Sequence, residues 1–296
     1  MKARFLSVVV PAFNEAARIA HTLSKVAAEV DRLGIDAEVV VVDDGSTDAT
    51  ASIVAEASRS DPRVKLVRAP HAGKGAAVRR GMLEATGAWR FLADADLSMP
   101  ISELSRFISA SAKGYGETSS AFAEGYGAAS AASAEGSPEA RASATLPAEV
   151  LVGSREAAGA TRIGEPWSRH AIGRVFNWLV KLLVLRGVDD TQCGFKLFSA
   201  HAAETLFPLQ RLDGFGFDVE ILFLARRAGL VIREIPVTWE YGRDSKVNIA
   251  SGGRGFLDLV RIRWNQLRGV YPPPVPPGRP LANATRPTAS SKGSSW

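Results

Sequence analysis

The chain has 296 residues, with 36 lysines and arginines against 31 aspartates and glutamates, for a formal net charge of +5. Hydrophobic residues make up 46% and charged residues 23%, the composition of a globular protein and not of a disordered or fibrous one. The single cysteine, Cys193, excludes an intrachain disulfide framework and a multi-cysteine zinc site. No run reaches the roughly 18 apolar residues of a spanning helix.

Residues 6–10 form a short apolar run that stops at Pro11. It predicts a strand and is too short for a signal-peptide core. Ile19, Leu23, Val26, Val30 and Leu33 follow at helical spacing. Residues 39–42 are a continuous β-branched run, as expected of a strand buried on both faces. Asp43-Asp44-Gly45-Ser46 breaks it, and Thr47 or Asp48 is placed to cap a helix running through Arg59. Residues 64–67 predict a third strand, 76–85 a third helix and 88–93 a fourth strand. This alternation predicts an α/β fold with a mostly parallel sheet flanked by helices. Ligands of such sheets lie beyond the carboxyl ends of the strands. Three polar clusters fall there, at residues 11–15, 43–46 and 94–96.

Residues 110–148 interrupt the alternation. Of these 39 positions 25 are Ala, Ser or Gly, and Phe122 and Leu146 are the only Leu, Ile, Val or Phe among them. Such a stretch buries too little apolar surface to offset its ordering entropy and predicts a flexible insertion. Beyond it, residues 150–153 predict a strand. Residues 167–185 predict a helix with Phe176, Leu179, Val180, Leu183 and Val184 on one face. Residues 217–227 predict a helix, 231–239 an extended segment and 255–267 an amphipathic helix, with Phe256, Leu257, Val260, Ile262 and Trp264 among Arg261, Arg263 and Arg268. Residues 272–296 hold seven prolines, three basic residues and no acids, the composition of a flexible tail with a semi-rigid start.

Asp94-Ala95-Asp96 follows the fourth predicted strand directly. Two carboxylates one residue apart at a strand end suit a hard cation such as Mg²⁺. That ion takes one or two carboxylates and leaves its other positions to water and substrate phosphate oxygens. A nucleotide diphosphate would complete the shell, and the metal would stabilise a departing diphosphate. Asp43-Asp44-Gly45-Ser46 reads in part as turn chemistry, which accounts for Gly45 and Ser46 but poorly for two adjacent acids. In Ala72-Gly73-Lys74-Gly75 the glycines let the backbone approach an anion and Lys74 supplies positive charge. This is not a P-loop, because Gly75 stands where Ser or Thr would meet magnesium, and no G-x-G-x-x-G occurs, which disfavours a nicotinamide dehydrogenase. His71, beside this loop, either touches phosphate or is incidental. Cys193 reads as a packing residue, with no base motif adjoining it. Trp167, Trp178 and Trp264 read as core or interfacial anchors.

Val8-Val9-Val10-Pro11-Ala12-Phe13-Asn14-Glu15, Val42-Asp43-Asp44-Gly45-Ser46-Thr47-Asp48, Gly73-Lys74-Gly75 and Asp94-Ala95-Asp96 together resemble family 2 glycosyltransferases of the GT-A fold. The second half narrows the resemblance. Gly153-Ser154-Arg155, Trp167-Ser168-Arg169, the string Asp190-Thr191-Gln192-Cys193-Gly194-Phe195-Lys196-Leu197-Phe198, Phe217-Asp218-Val219-Glu220, Pro236-Val237-Thr238-Trp239 and Ser245-Lys246-Val247 are similar to dolichyl-phosphate glucosyltransferases. The likeness covers about residues 5–270 without the insertion.

The resemblance implies one GT-A (nucleotide-diphospho-sugar transferase, Rossmann-like) catalytic domain. Residues 1–109 would be its nucleotide-sugar half, 110–148 the insertion, 149–250 the acceptor half, 251–271 an amphipathic C-terminal helix and 272–296 a disordered tail. It implies inverting transfer of glucose from UDP-glucose to a polyprenyl phosphate. Carried over by position, Pro11, Phe13, Glu15, Asp43, Asp44, Lys74, Asp94, Ala95 and Asp96 would bind the nucleotide sugar, with Mg²⁺ or Mn²⁺ on Asp94 and Asp96. Arg155, Arg169, Arg243, Ser245 and Lys246 would bind diphosphate and lipid phosphate. Asp96, Asp190, Arg155 and Lys246 would form the catalytic set, with Asp190 near the acceptor. It also implies a cytoplasmic protein held peripherally at the cytoplasmic face of a membrane; residues 255–267 are either the surface for that contact or an ordinary core-packed helix.

The chemistry is coherent by itself. A lipid phosphate is already an anion, so it needs positioning beside an anionic donor more than it needs a general base, and arginine forks suit phosphate oxygens. GDP-mannose as donor, a soluble acceptor, and a nucleotide-sugar binder without catalysis stay open as alternatives. A pI near 9.5 suits anionic partners in general, but scattered arginines without an aromatic-basic stripe argue against nucleic acid.

Overall fold

The computed structural model describes residues 5–115, 149–241 and 249–275. Seven strands form the main sheet: β1 (Leu6–Ala12), β2 (Ala37–Asp44), β3 (Val64–Ala69), β4 (Trp89–Leu92), β5 (Val150–Ser154), β7 (Lys196–Ser199) and β8 (Ile232–Pro236). Their spatial order is β3-β2-β1-β4-β7-β5-β8. The strands β3, β2, β1 and β4 pair parallel, as do β5 and β8, while β7 runs antiparallel to both β4 and β5. A parallel two-stranded ribbon joins β6 (Thr161–Ile163) and β9 (Thr238–Glu240). The helices are α1 (Ile19–Leu33), α2 (Thr50–Ser60), α3 (Lys74–Glu84), α4 (Leu104–Tyr115), α5 (Trp167–Leu183), α6 (Ala200–Leu206), α7 (Phe217–Arg227) and α8 (Ile249–Leu267).

Strand periodicity sorts the core into two layers. Val8, Val10, Val39, Val41 and Phe91 pack with Ile19, Val26, Val54, Leu104 and Phe107 of α1, α2 and α4. Val9, Val40, Val42 and Leu92 face the other way, against Val78 and Met82 of α3 and Leu222 of α7. Both faces are therefore dry, and the strands read as unbroken apolar runs instead of alternating ones. At the end of the sheet where β1 and β2 begin, buried Glu38 accepts bonds from Ser7 Oγ (2.6 Å), Thr86 N (2.7 Å) and Thr86 Oγ1 (2.8 Å). Its charge is thus satisfied internally, and the opposite end of the strands is left for ligands.

Several expectations need correction. The low-complexity stretch from 110 begins inside α4, which continues to Tyr115. Small residues suit a helix against a core, and Ser111, buried, returns its hydroxyl to Ile108 O at 2.8 Å. The remainder of that stretch, 116–148, lies outside the described residues. The extended segment at 231–239 is two strands in two sheets, divided at Val237. The tail's first residues are held in place, with Val275 N donating to Arg227 O at 2.7 Å. No sequence expectation covered β7, the short strand that joins the two halves of the sheet. Of the two readings of the tryptophans, core or interfacial anchors, the core one fails: Trp167 is exposed by 83%, Trp178 by 60% and Trp264 by 58%. Buried positions fall instead to Trp89 and Trp239.

Candidate active site

The parallel registers bring the ends of β1, β2 and β4 together, with Ala12 opposite Asp43 and Val9 opposite Leu92. Strand order reverses at β1, with β2 and β3 to one side and β4 to the other. The crevice beyond these carboxyl ends is where such sheets take ligands.

Residues 94–96 form a turn that sends its carboxylates outward. Ala95 is buried and its carbonyl accepts Thr22 Oγ1 at 2.5 Å, whereas Asp94 is half-buried and Asp96 exposed. Leu97 takes φ +46°, a left-handed conformation that costs a leucine about 1 kcal/mol or more. Its N–H closes the turn on Asp94 O at 3.2 Å, and Ser98 N donates to Asp96 Oδ1 at 3.0 Å. A Cβ at Gly194 would run into Asp94 Oδ2, so glycine there gives the Asp94 carboxylate its room. Among the described residues no group of three or more His, Cys, Asp or Glu is arranged to hold a metal. Two oxygen donors at an open turn nevertheless fit a Mg²⁺- or Mn²⁺-type ion that takes most of its shell from substrate phosphate and water.

Lys74 opens α3 and pairs with Asp94 Oδ1 at 2.6 Å. Burial works against its charge, but Asp94, Asp218 and Asp96 outweigh that, and the ammonium is pushed up to about 12. It therefore stays cationic beside the carboxylate turn, and Phe215 lies under it at 5.7 Å.

The two adjacent acids of the second cluster accept bonds from backbone N–H groups. Asp44 Oδ1 accepts from Ala72 N and Oδ2 from Gly73 N, both at 2.9 Å, and His71 Nδ1 lies 2.9 Å from Oδ2. Asp43 Oδ1 accepts from Ser46 N at 3.2 Å. Both acids are buried, so their direct job is to shape the loop that precedes Lys74. Gly45 is required there, since it has φ +72° and a Cβ would come within 2.7 Å of His71 N. Phe13 is 37% exposed and stacks on His71 with centroids 4.1 Å apart and planes at 20°. The pair forms a flat apolar platform at the end of β1. Asn14, at φ +53°, stitches the two loops through Thr47 N (2.8 Å) and Ser46 Oγ (2.9 Å). Glu15 pairs with Arg18 at 2.7 Å.

Across the crevice, Arg155 forks onto Asp190, Nε to Oδ2 at 2.7 Å and the terminal nitrogen to Oδ1 at 2.9 Å. Arg155 N adds a third bond to Oδ2 at 3.0 Å. Burial alone would raise the Asp190 pKa, but the Arg155 guanidinium holds it below the ordinary carboxylate range. Asp190 is completely buried and has no surface with which to meet an acceptor. Its backbone N–H is fixed in turn by Glu234 Oε1 at 3.0 Å. Arg155 also stands over the Trp239 ring at 5.5 Å, so a rigid cation is presented at the end of β5.

Residues 7–125 match the Glycosyl transferase family 2 domain. The chain is 34% identical over 277 residues to the dolichyl-phosphate beta-glucosyltransferase of Saccharomyces cerevisiae, covering 90% of this chain and 76% of that one. It belongs to the dolichyl-phosphate beta-glucosyltransferase family. The human dolichyl-phosphate beta-glucosyltransferase is 29% identical over 276 residues, 90% of this chain and 77% of its own. The fold is shared with glucosyl-3-phosphoglycerate synthase of Mycobacterium tuberculosis, solved with UDP, at a TM-score of 0.57 and 18% identity over 88% of this chain and 80% of that one.

In this dolichyl-phosphate beta-glucosyltransferase family member, Pro11, Phe13, Asp43, Asp44, Lys74, Asp94, Ala95 and Asp96 gather at the ends of β1, β2 and β4 and the start of α3, with Glu15 at the approach to α1. Arg155 faces them from β5. Arg243, Ser245 and Lys246 lie outside the described residues, and of Arg169 only its place in α5 is described. The preceding strand is tied close to the Asp94–Asp96 turn, with Glu240 N donating to Ser98 O at 3.0 Å.

Sequence reasoning missed the buried pair Lys196–Asp218, joined at 2.6 Å. Lys196 also donates to Cys193 O at 2.6 Å. Burial pushes Asp218 up while Lys196 and Lys74 pull it down. The available signal was a lysine inside the apolar run Gly194-Phe195-Lys196-Leu197-Phe198, since a charge in a central strand needs a partner. Cys193 meets its expectation, because it is buried and its thiol is pushed up to about 12, chiefly by burial. Such a thiol is no nucleophile near neutral pH.

Proposed function

We propose that this chain transfers glucose from UDP-glucose to a polyprenyl phosphate, with inversion, using a divalent cation held by Asp94 and Asp96. The observation that carries the reading is the convergence of that carboxylate pair, the Lys74 cation and the Phe13–His71 platform at one crevice, in a chain of this family. When bound, Mg²⁺ or Mn²⁺ would supply positive charge to the departing diphosphate. Lys74, at the N-terminus of α3, adds positive charge beside Asp94. The Phe13–His71 platform offers a face to the uracil ring. Arg155 is aimed and desolvated by Asp190 and so binds an anionic phosphate with little reorganisation. The acceptor oxygen attacks the anomeric carbon on the face opposite the diphosphate, the bond to UDP breaks, and no proton has to be removed because the acceptor is already ionised. Asp190 acts through Arg155 as a positioning residue.

A lipid acceptor needs a membrane-facing surface. No helix among the described residues is long and apolar enough to cross a membrane. The helices α5 and α8 meet where Gly255 abuts Phe176, and both leave large apolar side chains in solvent. Trp178 and Leu182 on α5, and Leu257, Val260, Trp264 and Leu267 on α8, are all at least half exposed. These helices favour a peripheral hold on the cytoplasmic face, amphipathic helices lying in the interface.

Product detection by mass spectrometry tests the reading. The purified chain is incubated with Mn²⁺ and vesicles carrying a polyprenyl phosphate, with UDP-glucose or GDP-mannose in separate tubes. A polyprenyl-phosphate hexose from UDP-glucose alone is expected. The same product from GDP-mannose alone overturns the donor assignment. A hexose found only on a soluble acceptor overturns the lipid assignment. The platform has its own test: Phe13→Ala raises the KM for UDP-glucose about tenfold, since stacking of one base on an aromatic contributes about 1–3 kcal/mol. An unchanged donor KM places the base elsewhere.

A further inference from the structure

The loop at residues 210–216 carries one acid, Asp213, which lies outside the carboxylate clusters of the site just described, yet the start of α3 is built on it. Asp213 O accepts the Ala76 N–H at 3.2 Å, taking one of the helix's unpaired first-turn donors. Gln210 Nε2 reaches Gly75 O at 2.9 Å and Leu212 O at 2.7 Å. A Cβ at Gly73 would meet Asp213 O at 2.6 Å, and one at Gly75 would meet Leu212 O at 2.6 Å. Backbone lies on backbone on both sides of Lys74, so the loop sets where that ammonium sits.

The loop is held from behind. Glu220, buried in α7, accepts Arg211 N at 2.9 Å through Oε1 and Leu212 N at 2.8 Å through Oε2. The Tyr271 hydroxyl, just past α8, donates to Glu220 Oε1 at 2.6 Å. Burial and the adjacent carboxylate both keep that hydroxyl protonated, so it remains the donor. The Tyr271 ring is itself fixed, edge-on to Phe223 at 5.8 Å. At the other end of the loop, Gly216 packs so closely on Asp258 of α8 that no side chain would fit.

We infer that Tyr271 and Glu220 are positioning residues for donor binding, acting through the 210–216 loop to hold Lys74 on Asp94. The inference rests on the proposed role of the crevice as a nucleotide-diphosphate site. It gives the C-terminal segment a part in sugar-nucleotide affinity, although Tyr271 lies in a different element from every donor ligand.

The test is a double-mutant cycle read by calorimetric titration of UDP in the presence of Mn²⁺, on the full chain. Tyr271→Phe keeps the ring and its packing and removes the bond to Glu220 Oε1, together with the longer one accepted from Asn265 Nδ2 at 3.3 Å. UDP binding is expected to weaken about fivefold, the equivalent of the roughly 1 kcal/mol that such a bond contributes. In a Lys74→Met background the same change should have no further effect, because the two act in series. The KM for UDP-glucose should rise with little change in kcat or in the acceptor KM, a split that general loosening of the fold would not produce. Additive effects of Tyr271→Phe and Lys74→Met, or a Tyr271→Phe chain that binds UDP like wild type, overturn the inference while the functional reading stands. A wild-type chain that binds no UDP overturns the functional reading and this inference with it.

Discussion

Asp96→Ala lowers formation of the lipid-linked sugar by about 1,000-fold, the equivalent of about 4 kcal/mol of lost transition-state stabilisation. Asp96 is exposed at the open side of the turn, where its carboxylate accepts the backbone N–H of Ser98 two residues on. The fold has little to lose there, so the thermal midpoint should stay within about 2 °C. That pairing of a large kinetic loss with a small stability change distinguishes a metal ligand from a structural acid. Measured with Mn²⁺ titrated from zero, the variant should also show no metal-dependent gain in UDP affinity. Full turnover in Asp96→Ala would remove the metal from this turn.

The second large effect belongs to Asp190 and is of the opposite kind. Asp190→Asn removes the negative charge and puts a donating amide NH2 in place of one accepting oxygen, so Arg155, only 20% exposed, keeps at most two of its three bonds to this side chain. An uncompensated buried cation typically costs about 3–5 kcal/mol, and the partial exposure of Arg155 places this site near the lower figure. Urea denaturation reads the loss directly. Activity falls too, because the guanidinium is no longer locked. Arg155→Lys should share the kinetic defect, since an ammonium keeps the charge but lacks the fork. The pH dependence follows from the direction of the shift. Asp190 titrates lower in the folded chain than in the unfolded one, where about 3.9 is ordinary. The folded state therefore holds its full contribution above that value and loses it as pH falls through the depressed folded pKa. Asp190→Asn should flatten that acid limb. A variant as stable as wild type at pH 7 would show the pair to be dispensable.

These two aspartates mark how far the sequence could be read. Asp94-Ala95-Asp96 was legible because the apolar run before it is unmistakable and the alternation of exposure in a turn follows directly from residue type. Asp190 was expected beside the acceptor because its string is shared with the family, but a motif does not report orientation, and the chain folds the carboxylate inward onto Arg155, 35 residues earlier. Asp43-Asp44 shows the same limit. Two adjacent acids call for a cation or a bonded partner, and the donors that meet them include the backbone N–H groups of Ser46, Ala72 and Gly73, which carry no signature in side-chain pattern.

The parallel core, the carboxylate turn and the glycine-flanked lysine at its strand ends were all determined by local sequence. They depend on periodicity, on turn formers and on charge placed at strand ends, which act over a few residues. The tertiary structure alone decided what crosses long spans. It inserted β7 antiparallel between β4 and β5, paired Lys196 with Asp218, stacked His71 on Phe13, and seated α3 on a loop held by Tyr271. It also turned the tryptophans of α5 and α8 outward, because an amphipathic helix does not state which of its faces will find a core. Each of these is a choice of partner between distant segments, settled by which arrangement satisfies buried polar groups and covers apolar surface together.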